Sequence, residues 1–185
     1  MRPRVILDKD QFALTIERLC HQLIEVHGDF SNTALIGVQP RGVFLSDRIV
    51  ERLQDIQPKN KGLYGKLDNT FYRDDFRRRD NLAVASQTTI DFSIEGKKVV
   101  LIDDVLFTGR TIRSAMDALL DFGRPDHIEL LTLIDRRLSR DVPIQANYIG
   151  KKIDSIESER VKVEWKGEAE AKEDKVWILR TDKKD

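Results

Sequence analysis

Cysteine is nearly missing from this chain: Cys20 stands alone among 185 residues. No disulfide can close within it, so stability has to come from a packed core. That usage suits a reducing compartment, and the cytoplasm is the expected location. An excess of charge is missing too. The 32 Lys and Arg residues balance 32 Asp and Glu, which excludes a globally electropositive nucleic-acid binder and leaves room only for a local basic patch. Apolar runs stay far short of the roughly 18 residues that a membrane span needs, and none follows Met1-Arg2-Pro3-Arg4-Val5 as a secretory leader requires. No membrane partner is expected. Nor does the sequence hold G-x-x-x-x-G-K-[ST], which argues against a P-loop phosphotransferase. With 40% hydrophobic and 35% charged residues, residues 1–185 read as one soluble domain able to bury a real core.

What is present is concentrated between Lys97 and Ile112. Val99-Val100-Leu101-Ile102 is an apolar run of the kind that forms a strand buried on both faces. It ends in Asp103 and Asp104. Thr108-Gly109-Arg110-Thr111 follows, and then Ile112, Ala115, Met116, Leu119 and Phe122 recur at helical spacing. The N–H groups of a helix start form an anion site, Gly109 permits close approach, and the two threonine hydroxyls add uncharged donors. Two carboxylates just upstream suit the hydroxyls of a sugar. Simple helix capping needs one such residue and leaves the rest of the run without a purpose.

The remainder alternates strands with helices. Val5-Ile6-Leu7 leads into Asp8, an N-cap with Gln11 three residues on. Phe12, Ile16, Leu19, Leu23 and Val26 then mark a helix that stops at Gly28. Cys20 sits beside that stripe as a packing residue, not a nucleophile. Ala34–Val38 is a second buried strand, and Gln39-Pro40-Arg41-Gly42 connects it to a helix through Phe44, Leu45, Ile49 and Leu53. Leu63–Leu67 and Asn69–Tyr72 read as strands. Residues 73–96 have no clear period, which for such a length marks a binding loop or lid. Arg77, Arg78 and Arg79 within it read as a solvated face. Gly123-Arg124-Pro125 stops the central helix before a strand over His127–Ile134. Pro143–Ile153, Glu159–Trp165 and Lys175–Arg180 read as strands outside the repeat, the last two pairing across 167–170. Strands alternating with helices predict a parallel α/β sheet with ligands at the carboxyl ends of its strands.

The Asp103–Thr111 segment resembles the PRPP-binding signature of type I phosphoribosyltransferases. The resemblance implies a mostly parallel twisted sheet flanked by helices with a small β hood: a core over about 5–140, then a hood and C-terminal hairpin over about 141–181. It assigns PRPP binding to Asp103, Asp104, Val105, Leu106, Phe107, Thr108, Gly109, Arg110 and Thr111. Arg41 and Gly42 become the pyrophosphate loop, with a strained or cis Pro40–Arg41 bond. Asp103, Asp104 and Arg41 are the implied catalytic residues. Tyr72, Arg73 and Asp74 begin a flexible loop that closes over the sugar and excludes water. Arg136, Tyr148 and Ile149 are placed against the base. Mg²⁺ is implied through PRPP oxygens and water, with no direct protein ligand, and the assembly is a homodimer or homotetramer.

Further segments narrow the resemblance to members that regulate pyrimidine operons and also transfer phosphoribose to uracil, giving UMP and pyrophosphate. These are Asn69–Asp75, Gly123-Arg124-Pro125, Ile134-Asp135-Arg136 and Val142–Lys151. The alternative it carries is a nucleotide-sensing RNA-binding regulator with weak or no transferase activity. In that case Arg18, His21, Arg137, Arg140 and Lys151 would touch an mRNA leader. Two stretches depart from the pattern. Asp135–Pro143 lacks a Gly-His pair and carries one extra residue, and Lys152-Ile153-Asp154-Ser155 replaces Asn-Ile-Pro-Thr.

Overall fold

Local chemistry sets the first elements. In the computed structural model, which describes residues 3–74, 86–156 and 158–180, β1 covers Arg4–Leu7 and α1 covers Lys9–His27. Asp8 caps α1 reciprocally: the Gln11 N–H donates to its carboxylate at 2.9 Å, and its own N–H donates to the Gln11 side chain at 3.2 Å. The helix ends at Gly28, whose φ of 59° is one a side chain rarely adopts. Phe12, Ile16, Leu19 and Leu23 are buried as expected, but Val26 is 51% exposed. The stripe advances by four residues after Leu23, so His27, and not Val26, occupies the last inward position.

Five strands form the main sheet, all parallel, in the order β3-β2-β4-β5-β6. They are β2 (Thr33–Val38), β3 (Leu63–Leu67), β4 (Lys98–Leu106), β5 (His127–Arg136) and β6 (Tyr148–Ile153). Two further helices, α2 (Gly42–Ile56) and α3 (Arg110–Leu119), follow β2 and β4. Alternate residues of β4 face opposite layers. Val100 and Ile102 pack with Leu19, Leu23, Leu45 and Ile49 of α1 and α2, whereas Val99 and Leu101 pack with Ile112, Ala115 and Leu119 of α3. Each large aliphatic side chain buried in these layers contributes about 1.5–3 kcal/mol. The chain leaves β2 toward β3 on one side and continues through β4, β5 and β6 on the other. The crevice outside the carboxyl ends of β2 and β4 is therefore a topological switch point.

A second, antiparallel sheet joins β1 to β8 (Lys175–Arg180) and β8 to β7 (Glu159–Glu164). Trp165, just past β7, docks it. The indole is fully buried, edge-on to Phe12 at 5.6 Å and stacked on Phe44 at 5.8 Å, with the Arg48 guanidinium 4.8 Å from its centre.

The structure corrects three expectations. Tyr148–Ile153 is the edge strand of the main sheet and not part of the hood; residues 137–147 connect it to β5 without a helix, so the usual crossover signal is missing. Asn69–Tyr72 is not a strand. The Asp68 carboxylate accepts the Thr70 N–H at 2.7 Å and turns the chain into a short 3₁₀ segment over Thr70–Tyr72. The cis bond is Gln39–Pro40, where proline lowers the penalty, and not Pro40–Arg41. Arg77, Arg78, Arg79 and the rest of residues 75–85 of the expected lid lie outside the described residues.

Candidate active site

Two loops meet at the switch point because two glycines let them. Gly42 opens α2 against β4: a Cβ there would strike the Ile102 carbonyl and come within 3.0 Å of the Asp103 Cα. Gly109 precedes α3 with φ 87°, and a Cβ on it would lie 2.8 Å from Val142 Cγ2. The helix starts of α2 and α3 thus flank the end of β4, on opposite faces of the sheet.

Asp103 and Asp104 sit at that end, 8% and 7% exposed. Asp103 accepts the Asp104 N–H at 2.9 Å, and Asp104 accepts from Arg41 Nε at 3.0 Å. Burial pushes both carboxyl groups above the usual range. The charge of Asp104 adds to the effect at Asp103, while Arg41 opposes it at Asp104. Arg41 is a hub. Beyond Asp104 it donates to Glu168 at 2.9 Å and to the Val163 carbonyl at 2.7 Å, so it ties β4 to the small sheet. Burial works against its charge, but the two carboxylates outweigh it and hold its pKa above the ordinary value.

Two clefts open beside the acids. One of about 290 Å³ is lined by Arg73, Asp74, Asp103 and the run Val105–Ile112. The other, about 990 Å³, is lined by Arg41, Asp104, Val105, Val161, Val163 and Glu168 among others. All the expected PRPP-loop residues except Asp104 line the first cleft; Asp104 and Arg41 line the second, and Val105 borders both. Gly42 lies behind Asp103. Of the expected lid residues, Arg73 reaches Thr111 Oγ1 at 3.3 Å and Asp74 pairs with Arg110 at 2.7 Å, so both border the first cleft. Tyr72 turns away and donates to Asp121.

The three residues expected at the base do not come together. Tyr148 starts β6, paired with Leu131 and so level with Ile102 of β4. Its hydroxyl donates to Glu129 at 2.7 Å and lies 3.1 Å from His27. Ile149 pairs with Thr132, four positions before Arg136. Neither lines either cleft; they stand level with Ile102 and Asp103 in the sheet but two strands away, on β6. Arg136 is at the correct end but is buried. It donates to Ser155 Oγ at 2.7 Å and to the Glu159 carbonyl at 2.9 Å, and its guanidinium lies 4.0 Å over the Phe107 ring. It holds the 155–159 segment near the loop through Nε and Nη2.

The expected basic patch is also largely engaged. Arg18 donates to the Gly150 carbonyl at 2.6 Å, Lys151 to the Ile6 carbonyl at 3.0 Å, Arg137 to both Asp154 oxygens, and His21 contacts Glu17 at 3.2 Å. Arg140 is turned inward. Cys20 is buried, and burial pushes its thiol up to about 12, consistent with packing. Sequence reasoning missed Glu168 altogether, since nothing local marks a carboxylate in a turn as the partner of a residue 127 positions away. Among the described residues no group of three or more His, Cys, Asp or Glu is arranged to hold a metal, and no helix is long and apolar enough to cross a membrane.

Comparison with known proteins adds a separate line. The family described as phosphoribosyl transferase domain matches residues 5–168. The bifunctional protein PyrR of Elusimicrobium minutum is 42% identical over 163 residues, covering 88% of this chain and 90% of that protein. The bifunctional protein PyrR of Haemophilus ducreyi is 45% identical over 160 residues, 86% of this chain and 88% of its own. Among solved structures, a hypoxanthine phosphoribosyltransferase of Trypanosoma cruzi superposes with a TM-score of 0.70 over 97% of both chains at 16% identity. One from Staphylococcus aureus gives 0.64 over 83% of this chain and 80% of its own, at 23% identity. The structural likenesses speak to the fold.

Proposed function

The chain belongs to the phosphoribosyltransferase family, and within it to the PyrR proteins, and on that premise we propose that it transfers the phosphoribosyl group of PRPP to uracil, giving UMP and pyrophosphate. The observation that carries the reading is the pair Asp103 and Asp104, buried between an anion cleft on the α3 side and Arg41 on the other.

In this reading the α3 N-terminus and the Phe107–Thr111 amides hold the 5′-phosphate. The two carboxylates accept hydrogen bonds from the ribose hydroxyls. As the bond from C1 to pyrophosphate oxygen lengthens, the sugar gains positive charge and the carboxylates stabilise it, while Arg41 meets the charge growing on the leaving group. The ring nitrogen of uracil forms the new bond as the bond to pyrophosphate breaks, and its proton passes to the departing pyrophosphate or to water. No nucleophilic side chain is required. The donor set fits Mg²⁺ carried in on PRPP oxygens and waters, since it offers only two carboxylates and Arg41 engages one of them; bound there, it would supply charge neutralisation to the pyrophosphate. Arg73 and Asp74 border the phosphate cleft as the start of a lid that excludes water. The assembly is read as a homodimer or homotetramer in the cytoplasm, which light scattering and fractionation check.

The test is a base panel with PRPP and Mg²⁺ that follows pyrophosphate release. Uracil is the expected substrate. Turnover with hypoxanthine or guanine in its place overturns the choice of base and keeps the reaction class, and no PRPP binding at millimolar levels removes the class. A second reading, an RNA-binding regulator of pyrimidine genes, draws on the word bifunctional in the names of the relatives. Phosphate contacts would make specific RNA affinity fall steeply with salt, and no binding at low salt removes it.

A further inference from the structure

Arg140 reads in the sequence as a surface cation, yet its side chain is only 20% exposed. The guanidinium gathers acceptors from three parts of the chain. It donates to the carbonyls of Leu106 at 3.2 Å and Phe107 at the end of β4, to the Asp135 carboxylate and the Arg136 carbonyl (3.1 Å) at the end of β5, and to the Ile144 carbonyl at 3.0 Å. The residues after it extend the same contact. The N–H groups of Asp141 and Val142 both donate to the Thr108 carbonyl, at 3.0 and 3.2 Å, and Val142 and Ile144 cover Gly109.

Three consecutive carbonyls, those of residues 106 to 108, therefore face the 140–144 segment. In a trans peptide the C=O and the following N–H point in opposite directions. The N–H groups of Phe107, Thr108 and Gly109 are thereby turned away from that segment. The 290 Å³ cleft is lined by residues 105–112 and by none of 140–144. A guanidinium suits the task because its planar fork offers five donors in fixed directions. A lysine ammonium is a single point that cannot reach acceptors on three sides at once.

We propose that Arg140 is a positioning residue for phosphoribosyl transfer, holding the carbonyls of Leu106 and Phe107 behind the loop so that its N–H groups stay aimed at the 5′-phosphate of PRPP. This rests on the transfer reading given above. It separates Arg140 from the exposed Arg137 three residues earlier, which pairs with Asp154 and touches no part of the loop.

The test compares R140K and R140A with the unmodified chain, varying PRPP and uracil separately and adding methylguanidine to R140A. In R140K the KM for PRPP rises by about tenfold while that for uracil stays within about twofold. In R140A, kcat/KM for PRPP falls on the order of 100-fold, and methylguanidine restores at least about tenfold of it. An R140K with the unmodified KM for PRPP overturns the assignment, as do equal rises in both KM values, an R140A loss that methylguanidine leaves untouched, or a defect confined to RNA binding. If R140A does not fold, R140K alone decides. Failure of the unmodified chain to bind PRPP is a different outcome, and it sinks the transfer reading itself.

Discussion

Arg41 and Glu168 stand 2.9 Å apart across the larger cleft, the first at the start of α2 and the second in the turn between β7 and β8. The guanidinium assigned to the leaving pyrophosphate is thus held by a carboxylate of the protein. In the proposed reading, an incoming pyrophosphate competes with Glu168 for the same donors. Both side chains are more than a third exposed, so their pairing is worth under about 1 kcal/mol.

Replacing Glu168 with Gln removes the competing charge and keeps the turn. The expected result is a KM for PRPP about three- to fivefold lower, together with stronger inhibition by pyrophosphate. Steady-state kinetics with added pyrophosphate read both, and an unchanged inhibition constant contradicts the competition.

Arg41→Gln removes the charge proposed to meet the leaving group. The barrier should rise by about 3 kcal/mol, on the order of 100-fold in kcat, alongside a lower melting temperature because buried Asp104 loses its partner. A loss confined to KM would assign Arg41 to ground-state binding alone.

The buried acids set a pH dependence of definite sign. The folded pKa of Asp103 lies above its ordinary value of 3.8, so its ionised form is disfavoured by folding at neutral pH. That stabilising contribution is fully present below the unfolded value and is lost as pH rises through the folded one. Asp103→Asn escapes the penalty. It should melt above the unmodified chain at pH 8, and the gap should shrink as the pH falls toward 4. In the proposed reading, ionised carboxylates accept the ribose hydroxyls, so kcat/KM of the unmodified chain should decline on the acid side from a pH well above 3.8. A gap that widens on acidification refutes the assignment.

Gly109→Ala meets two obstacles, the φ of 87° and the contact with Val142. A cost of about 1–3 kcal/mol is expected in thermal melts. PRPP affinity should fall further than stability alone explains, because the substitution tilts the loop's N–H groups. Isothermal titration with PRPP separates the two effects.

The parts of this protein that could be read without coordinates are those decided by neighbours in sequence. The reciprocal cap at Asp8, the buried run Val99–Ile102 and the break at Gly109 need only a few adjacent residues to specify them. Tyr148 was misplaced because strand alternation does not say which sheet a strand joins, and the missing helix between β5 and β6 removed the usual marker. Arg140 and Glu168 escaped for a related reason. A charged residue in a polar stretch reads as solvated until the fold brings distant acceptors, such as the Leu106 carbonyl 34 positions away, within reach.

The small sheet is stitched from opposite ends of the chain: Arg4 pairs with Ile178 and Val5 with Trp177. On the ribosome the parallel layer and its phosphate loop can assemble early, since β2 to β6 emerge before residue 154. The roof over the larger cleft has to wait for β8. A nascent molecule therefore has the cleft beside Asp103 before β8 completes the small sheet that borders the larger cleft.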